Sequence, residues 1–254
     1  MQDFGSLDRQ QWHHRYVVQT GWTEHIRQYI FQKINPRPDD HMLEVGSGTG
    51  ALIRAWQKQG YHNITGVDLD YPSLAYSTTN LDSFHQAQAD GHHLPFKKGE
   101  FDITFCHYLL MWTKSPTRIL SEMCRVTQSG GWVLALAEPD HQARVDYPPP
   151  LDVLGQLQTQ ALHEQGADIR LGRQLRALFI QTGLQDVETG VLAAQWRQDH
   201  QLTDQTEWAM LQADLKERFS QNELAQFKQQ DRQAREAGTR VLFIPTFYAI
   251  GKVP

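Results

Sequence analysis

The segment Leu43-Glu44-Val45-Gly46-Ser47-Gly48-Thr49-Gly50 constrains this chain more than any other. An apolar strand runs straight into a turn with glycine at every second position, and the turn opens a helix. Glycine there admits left-handed backbone and lets a ligand approach main-chain N–H groups that a side chain would screen. Such a unit belongs in a parallel sheet that binds ligands beyond its strand ends. Glu44 narrows the ligand, since a carboxylate beside the turn suits a positively charged group and opposes a phosphate.

From about residue 40 to 140, apolar runs alternate with helical patterns, as βαβ units require. Strands are expected over 41–46, 63–68, 84–89, 101–106 and 131–138. Helices are expected over 50–59, 72–81 and 116–127, the last with Ser115 as N-cap and Pro116 in its first turn. Right-handed crossovers then put helices on both faces of the sheet. Ahead of this core, Trp22, Ile26, Tyr29, Ile30 and Lys33 recur at spacings of three and four and predict one amphipathic helix over 22–34.

After the core, helices are expected over 151–165 and 172–182, the second packing on the sheet through Leu175, Leu178 and Phe179. An extended segment follows over 184–196, with Val187, Val191 and Leu192 suited to a strand. Asp204-Gln-Thr-Glu207 and Ser220-Gln-Asn-Glu223 read as capping boxes that each start a helix. The apolar run 241–250 closes the chain as a strand, and its Pro245 points to an edge position or a bulge.

The 254 residues fit one large α/β domain with insertions. Twenty-four Lys and Arg against 29 Asp and Glu give a net charge of −5, and the basic residues are scattered, which argues against nucleic acid as the main partner. No apolar stretch approaches the roughly 20 residues of a membrane span, and MQDFGSLDRQQW lacks the apolar core of a signal peptide. A soluble, cytoplasmic protein is expected. Cys106 and Cys124 support no disulfide framework, and the histidines show no metal-ligand spacing, so no metal is expected. Arg232, Arg235 and Arg240 read as a solvated helix face. Trp22, Trp112 and Trp196 suit core or lid packing, or the lining of an aromatic acceptor pocket.

Asp68 ends the second strand in Gly66-Val67-Asp68-Leu69-Asp70, where a carboxylate can accept from both hydroxyls of a ribose. Dinucleotide-binding proteins share this feature, and Gly46-x-Gly48-x-x-Ala51 meets their looser fingerprint. Asp90, in Ala-Asp-Gly-His-His-Leu-Pro-Phe, sits where an adenine amino group could be bonded, with Gly91 giving the base room. Glu44 opposes a pyrophosphate at the first turn. An adenosine bearing a cationic amino acid suits all three carboxylates, and S-adenosylmethionine has that form.

LEVGSGTG, GVDLD, ADGHHLPF, FDITFCHYLLMW and SEMCRVTQSGG leading into WVLALAEPD occur in this order over residues 40 to 140. In these motifs the chain resembles the class I S-adenosylmethionine-dependent methyltransferases, most closely the group containing the ubiquinone/menaquinone-biosynthesis methyltransferases. The resemblance implies a single α/β, Rossmann-like domain with a seven-stranded, mostly parallel sheet, helices on both faces, an antiparallel last strand and helical lid insertions. It divides the chain into a helical cover (1–39), a cofactor-binding core (40–140), helical insertions (141–183 and 199–238) and closing strands (184–198 and 240–252).

It also implies roles. Gly46, Ser47, Gly48 and Gly50 would shape the methionine and ribose pocket, with Glu44 near the amino group. Asp68 would hold the ribose, Leu69 would pack on the adenine, and Asp90 with Gly91 would read its edge. Cys106 and His107 would face the methionine moiety through their backbone, and Arg15 is the candidate for its carboxylate. Methyl transfer is an in-line displacement that depends on near-attack geometry and exclusion of water. A base is needed only if the acceptor must lose a proton, and His107, Asp140 and His141 at strand ends are candidates. The acceptor is expected to be a small molecule with an apolar body, because the lid is rich in Leu and Trp. The alternatives are an NAD(P)-dependent oxidoreductase using the same turn and a non-catalytic cofactor-binding scaffold.

Overall fold

The computed structural model describes residues 8–80, 84–191, 205–216 and 218–254. Two helices, α1 (Arg9–Trp22) and α2 (Glu24–Ile34), precede the sheet, where the sequence predicts a single helix over 22–34. α1 begins on a reciprocal capping box between Asp8 and Gln11. The helices meet at Thr23, whose backbone (φ −104°, ψ 10°) leaves the helical region. α2 turns Ile26, Arg27, Ile30 and Phe31 inward. Trp22 and Tyr29, which the spacing places on that stripe, are exposed instead.

The core follows as β1 (Met42–Val45), α3 (Ala51–Gln57), β2 (Ile64–Asp68), α4 (Tyr71–Asn80), β3 (His85–Gln88), β4 (Phe101–Cys106), α5 (Pro116–Val126) and β5 (Thr127–Pro139). Ser115 sits at the N-cap of α5, but its side chain makes no capping bond, and Pro116 opens the helix. Beyond the core lie β6 (Val145–Tyr147), α6 (Leu151–Glu164), α7 (Leu171–Gln181), β7 (Gln185–Val191), α8 (Gln205–Leu215), α9 (Gln221–Glu236), β8 (Val241–Phe243) and β9 (Thr246–Lys252). The positions 192–198, Trp196 and Asp204 lie outside the described residues.

The main sheet has seven strands in the order β3-β2-β1-β4-β5-β9-β7. β9 runs antiparallel to both β5 and β7, and the remaining pairs are parallel. The terminal apolar run is two strands rather than one. Pro245 lacks the N–H that would continue a ladder, so the chain breaks there: β8 pairs with β6 in a separate two-stranded sheet, and β9 enters the interior of the main one. Pro245 is therefore at neither an edge nor a bulge of a strand.

Alternation along the strands sends side chains to two cores. On one face Leu43, Val45, Cys106, Val133 and Ala135 meet α5 and α7 through Ile119, Met123, Leu175 and Phe179. On the other, Met42, Ile64, Phe105 and Leu134 meet α2 and α3 through Ile30, Phe31, Ile53 and Trp56. α7 thus belongs to the sheet packing, and α6, α8 and α9 share a third cluster of Leu154, Ala161, Trp208, Leu211, Leu215 and Leu224.

Arg240 is not on a solvated face: its guanidinium is buried, donates to Asp231 and Asp146 at 2.7 Å each, and joins β8 to α9 and β6. Arg235 also pairs with Asp231, while Arg232 does lie in solvent beside Glu236. Among the described residues no helix is long and apolar enough to cross a membrane, and no cluster of His, Cys, Asp and Glu could hold a metal.

α7 approaches β5 and β9 through Gly172, where an added Cβ would lie 2.6 Å from the Glu138 carbonyl oxygen and 2.6 Å from the Phe247 ring. Helix propensity alone would favour alanine by up to about 1 kcal/mol. The backbone clash reverses that sign, and we expect Gly172→Ala to destabilise the fold by about 1–3 kcal/mol. The midpoint of denaturant unfolding measures it, and a stabilised variant would contradict this packing.

Candidate functional site at the strand ends

The turn after β1 holds Gly46, Gly48 and Gly50 at φ +78°, +52° and +76°. The N–H groups of Gly46 and Ser47 both donate to the Val67 carbonyl, tying the turn to β2. Leu109 closes over Gly46, and the Tyr16 ring over Gly48. Below the turn Glu44 is 3% exposed, and its Oε2, like the Ser47 hydroxyl, has no hydrogen-bond partner. Burial pushes the Glu44 carboxyl well above its ordinary range; Asp68 adds to the effect and Arg27 opposes it.

Asp68 accepts from the Gly48 N–H at 2.7 Å and from the Asp70 N–H at 2.8 Å, so one carboxylate joins the glycine turn to the end of β2. Burial raises its pKa, and these amides act against that rise. Leu69 beside it is 68% exposed, free to cover a ligand. At the end of β3, Asp90 accepts from the His92 N–H and bonds its Nδ1 at 2.6 Å, which holds the Asp90 carboxyl below its usual value. Gly91 brings the backbone against Val45.

Cys106 is buried at the end of β4, opposite Val45 of β1, and its thiol is pushed well up by burial. His107 bonds Thr23 Oγ1 at 2.8 Å through Nε2; burial, with Arg27 nearby, pushes its pKa down to about 3. Arg27 is itself buried, donating at 2.6 Å to both the Thr20 carbonyl and Thr23 Oγ1. Tyr108 follows in the left-handed region at φ +54°, with burial raising its hydroxyl to about 12. The next three N–H groups, of Leu109, Leu110 and Met111, donate to the fully buried Glu138 at 3.0, 2.8 and 3.1 Å.

At the end of β5 the two base candidates differ. Asp140 is 1% exposed, gripped by both Nε and Nη2 of Arg173, and accepts from the Ala143 N–H. Both of its oxygens are thus already engaged. His141 has a buried Nδ1 with no partner, and its pKa falls to about 4 through burial, Arg144 and Arg15. Arg15 acts electrostatically on Tyr108 as well as on His141, the residues that follow β4 and β5.

Of the expected residues, Glu44, Ser47, the glycines, Asp68, Cys106, His107 and His141 thus lie at the C-terminal ends of β1, β2, β4 and β5, with Asp90 and Gly91 after β3 and Arg15 on α1. The sequence reading expects a helical cover over 1–39 but predicts no helix where α1 lies. His13 Nδ1 bonds Thr49 Oγ1 at 2.8 Å, Arg9 pairs with Asp70 at 2.8 Å, and Tyr16 stands over Gly48. The Asp8-x-x-Gln11 capping box was the available signal. Thr23 and Glu138 were also missed, because their partners His107 and Leu109 to Met111 are remote in sequence, and so were Tyr108 and Arg27.

This strand order, with one antiparallel strand and a glycine turn flanked by strand-end carboxylates, defines the class I methyltransferase fold. Residues 43–135 match the family described as "Methyltransferase domain". It is similar to a malonyl-[acyl-carrier protein] O-methyltransferase from Pectobacterium atrosepticum, at 33% identity over 96 residues, 38% of this chain and 37% of that protein. It is also similar to a demethylmenaquinone methyltransferase from Renibacterium salmoninarum, at 26% identity over 125 residues, 49% and 52% of the two chains. The chain therefore spans 37% and 42% of the lengths of the first two curated relatives it matches. Among solved structures, phosphoethanolamine N-methyltransferase 2 from Haemonchus contortus shares the fold, with a TM-score of 0.59 at 17% identity, covering 89% of this chain and 52% of that one.

Burial raises Glu138 from 4.5 to about 7 against the pull of its three amides. The folded chain thus keeps this proton over a range where the unfolded chain has lost it, and raising the pH from about 4.5 to 7 weakens folding. We expect Glu138→Gln to lose about 1–3 kcal/mol, because its NH2 faces backbone donors. It should also abolish this group's pH dependence. Stability measured across that window in both proteins tests both effects, and equal slopes would contradict the assignment.

Proposed function

We propose that the protein is an S-adenosylmethionine-dependent methyltransferase acting on a small-molecule acceptor. The observation that carries this reading is the sealed, partnerless Oε2 of Glu44 beside a turn of left-handed glycines. A buried carboxylate oxygen without a donor is costly, and a ligand amino group would satisfy it. A pyrophosphate carries acceptors and no donor for that oxygen, which disfavours the dinucleotide reading. The Ser47 hydroxyl is a second buried group without a partner.

In this reading Glu44 binds the amino group, and Asp68 uses lone pairs left by its two amides for the ribose hydroxyls. Leu69 covers the adenine, and Asp90 with Gly91 flanks its edge. When bound, S-adenosylmethionine supplies an electrophilic methyl group on a sulfonium. The chain's own work is positioning and exclusion of water: Tyr16 and His13 on α1 close the turn, and Leu109 walls the side of β4. A cytoplasmic setting belongs to the same proposal; both thiols, Cys106 and Cys124, are unpaired.

Titration with S-adenosylhomocysteine and with NADH tests it. We expect the nucleoside to bind and NADH not to. In Asp68→Ala the nucleoside's affinity should fall about tenfold or more, the scale of hydrogen bonds to a charged group, with circular dichroism showing a retained fold. Gly48→Val, strained at φ +52° and crowding Tyr16, should weaken binding as well. Tight NADH binding without a response to the nucleoside would overturn the reading.

A further inference from the structure

We infer that the acceptor reacts as an oxygen anion, a carboxylate or an already ionised phenol or enol, seated between Arg15 and the partnerless Nδ1 of His141. This rests on the proposed methyl transfer. It draws on Arg15, Glu138, Asp140 and His141, which lie outside the 43–135 segment that the methyltransferase family matches.

Three observations converge. The carboxylates at the β4 and β5 side of the cleft are already engaged, Glu138 by three amides and Asp140 by Arg173. Neither is left to receive an ammonium group. On the same side, Arg15 acts on both Tyr108 and His141, residues that neighbouring strand ends bring together: β4 pairs with β5, and the Tyr108 N–H donates to the Ala137 carbonyl. His141, which follows β5, has a buried ring nitrogen with no hydrogen-bond partner. With its proton on Nδ1, the neutral imidazole donates to an anionic oxygen.

The histidines complete the argument. Burial pushes His107 down to about 3 and His141 down to about 4, which makes both weak bases toward an ammonium or an alcohol. An amine would arrive protonated, with no lone pair to attack. An oxygen acid arrives ionised: its lone pair forms the new O–C bond while the methyl–sulfur bond breaks, leaving that electron pair on sulfur. A cation and an anion become a thioether and a neutral ester or ether, and no proton moves.

Binding to the protein saturated with S-adenosylhomocysteine tests this by calorimetry, with benzoate, 4-nitrophenolate above its pKa, and benzylammonium as probes. We expect one or both anions to bind, which also separates carboxylate from phenolate, and benzylammonium not to. His141→Phe should weaken the anion about tenfold or more, whereas His141→Asn, which keeps a donor, should retain most of the affinity and guard against misfolding. Benzylammonium binding as tightly as the anions, no response to either anion, or unchanged anion affinity in His141→Phe would each overturn the inference. If the protein instead fails to bind S-adenosylhomocysteine at all, the methyl-transfer reading itself falls.

Discussion

Glu138 lies where the ends of β4 and β5 meet, and its carboxyl group gathers the N–H groups of three consecutive residues, Leu109, Leu110 and Met111. Burying a carboxyl group without partners costs several kcal/mol, and leaving three amides without acceptors costs a comparable amount. Each requirement answers the other. The loop that results is fixed tightly enough to hold Tyr108 in the left-handed region, where a residue with a side chain is strained. Because Leu109 belongs to that loop, its side chain lands on Gly46. The wall of the cleft is therefore set by a contact made below it.

The opposite wall depends on a second carboxylate. Asp68 engages Gly48 and Asp70 through backbone donors, so the turn after β1 and the segment after β2 move as one piece. Asp70 in turn pairs with Arg9, and Ser73 bonds both residues, which anchors the first turn of α1 over the end of β2. At the far end of the same helix, Thr23 bonds His107 and receives Arg27. α1 is thus tied at its start to β2 and at its end to β4, spanning the cleft between them. Single exposed ion pairs contribute little to stability, but here the polar contacts at the two ends act together with the Tyr16 contact on Gly48.

What could be read from the sequence was what local rules determine. The strand, turn and helix at residues 43–57 emerged because apolar pattern and glycine spacing act over a few residues. The Ser220 to Glu223 capping box is equally local, and it starts α9 with both of its reciprocal bonds. α1 escaped because its capping box precedes a stretch with few inward apolar residues, Trp12 being the buried one. The closing strand was read as continuous because hydrophobicity carries across Pro245, whereas backbone hydrogen bonding cannot. Arg240 looked solvated because its partner Asp146 is 94 residues away, joined to it only when β6 and β8 pair. The residues around the site divide along the same line: Glu44, Asp68 and the glycines sit in a motif, while Tyr16, Tyr108 and Glu138 acquire their places from tertiary contacts.

Those tertiary contacts give the cleft two electrical halves. The β1 and β2 half presents Glu44 and Asp68, acids with lone pairs to spare, while the β4 and β5 half has its acids engaged and Arg15 among its polar groups. In the proposed reaction a sulfonium on the first side meets an oxygen anion on the second, and their charges cancel as the methyl group passes. Water stabilises two separate ions more than it stabilises a transition state in which their charges are disappearing. In that reading Tyr16 and Leu109, which lie against the glycine turn, take the place of that water, in a medium where opposite charges attract far more strongly. The low basicity of His107 and His141 is then consistent with the rest of the site. The same burial that disarms them as bases removes the solvent that would hold the two reacting ions apart.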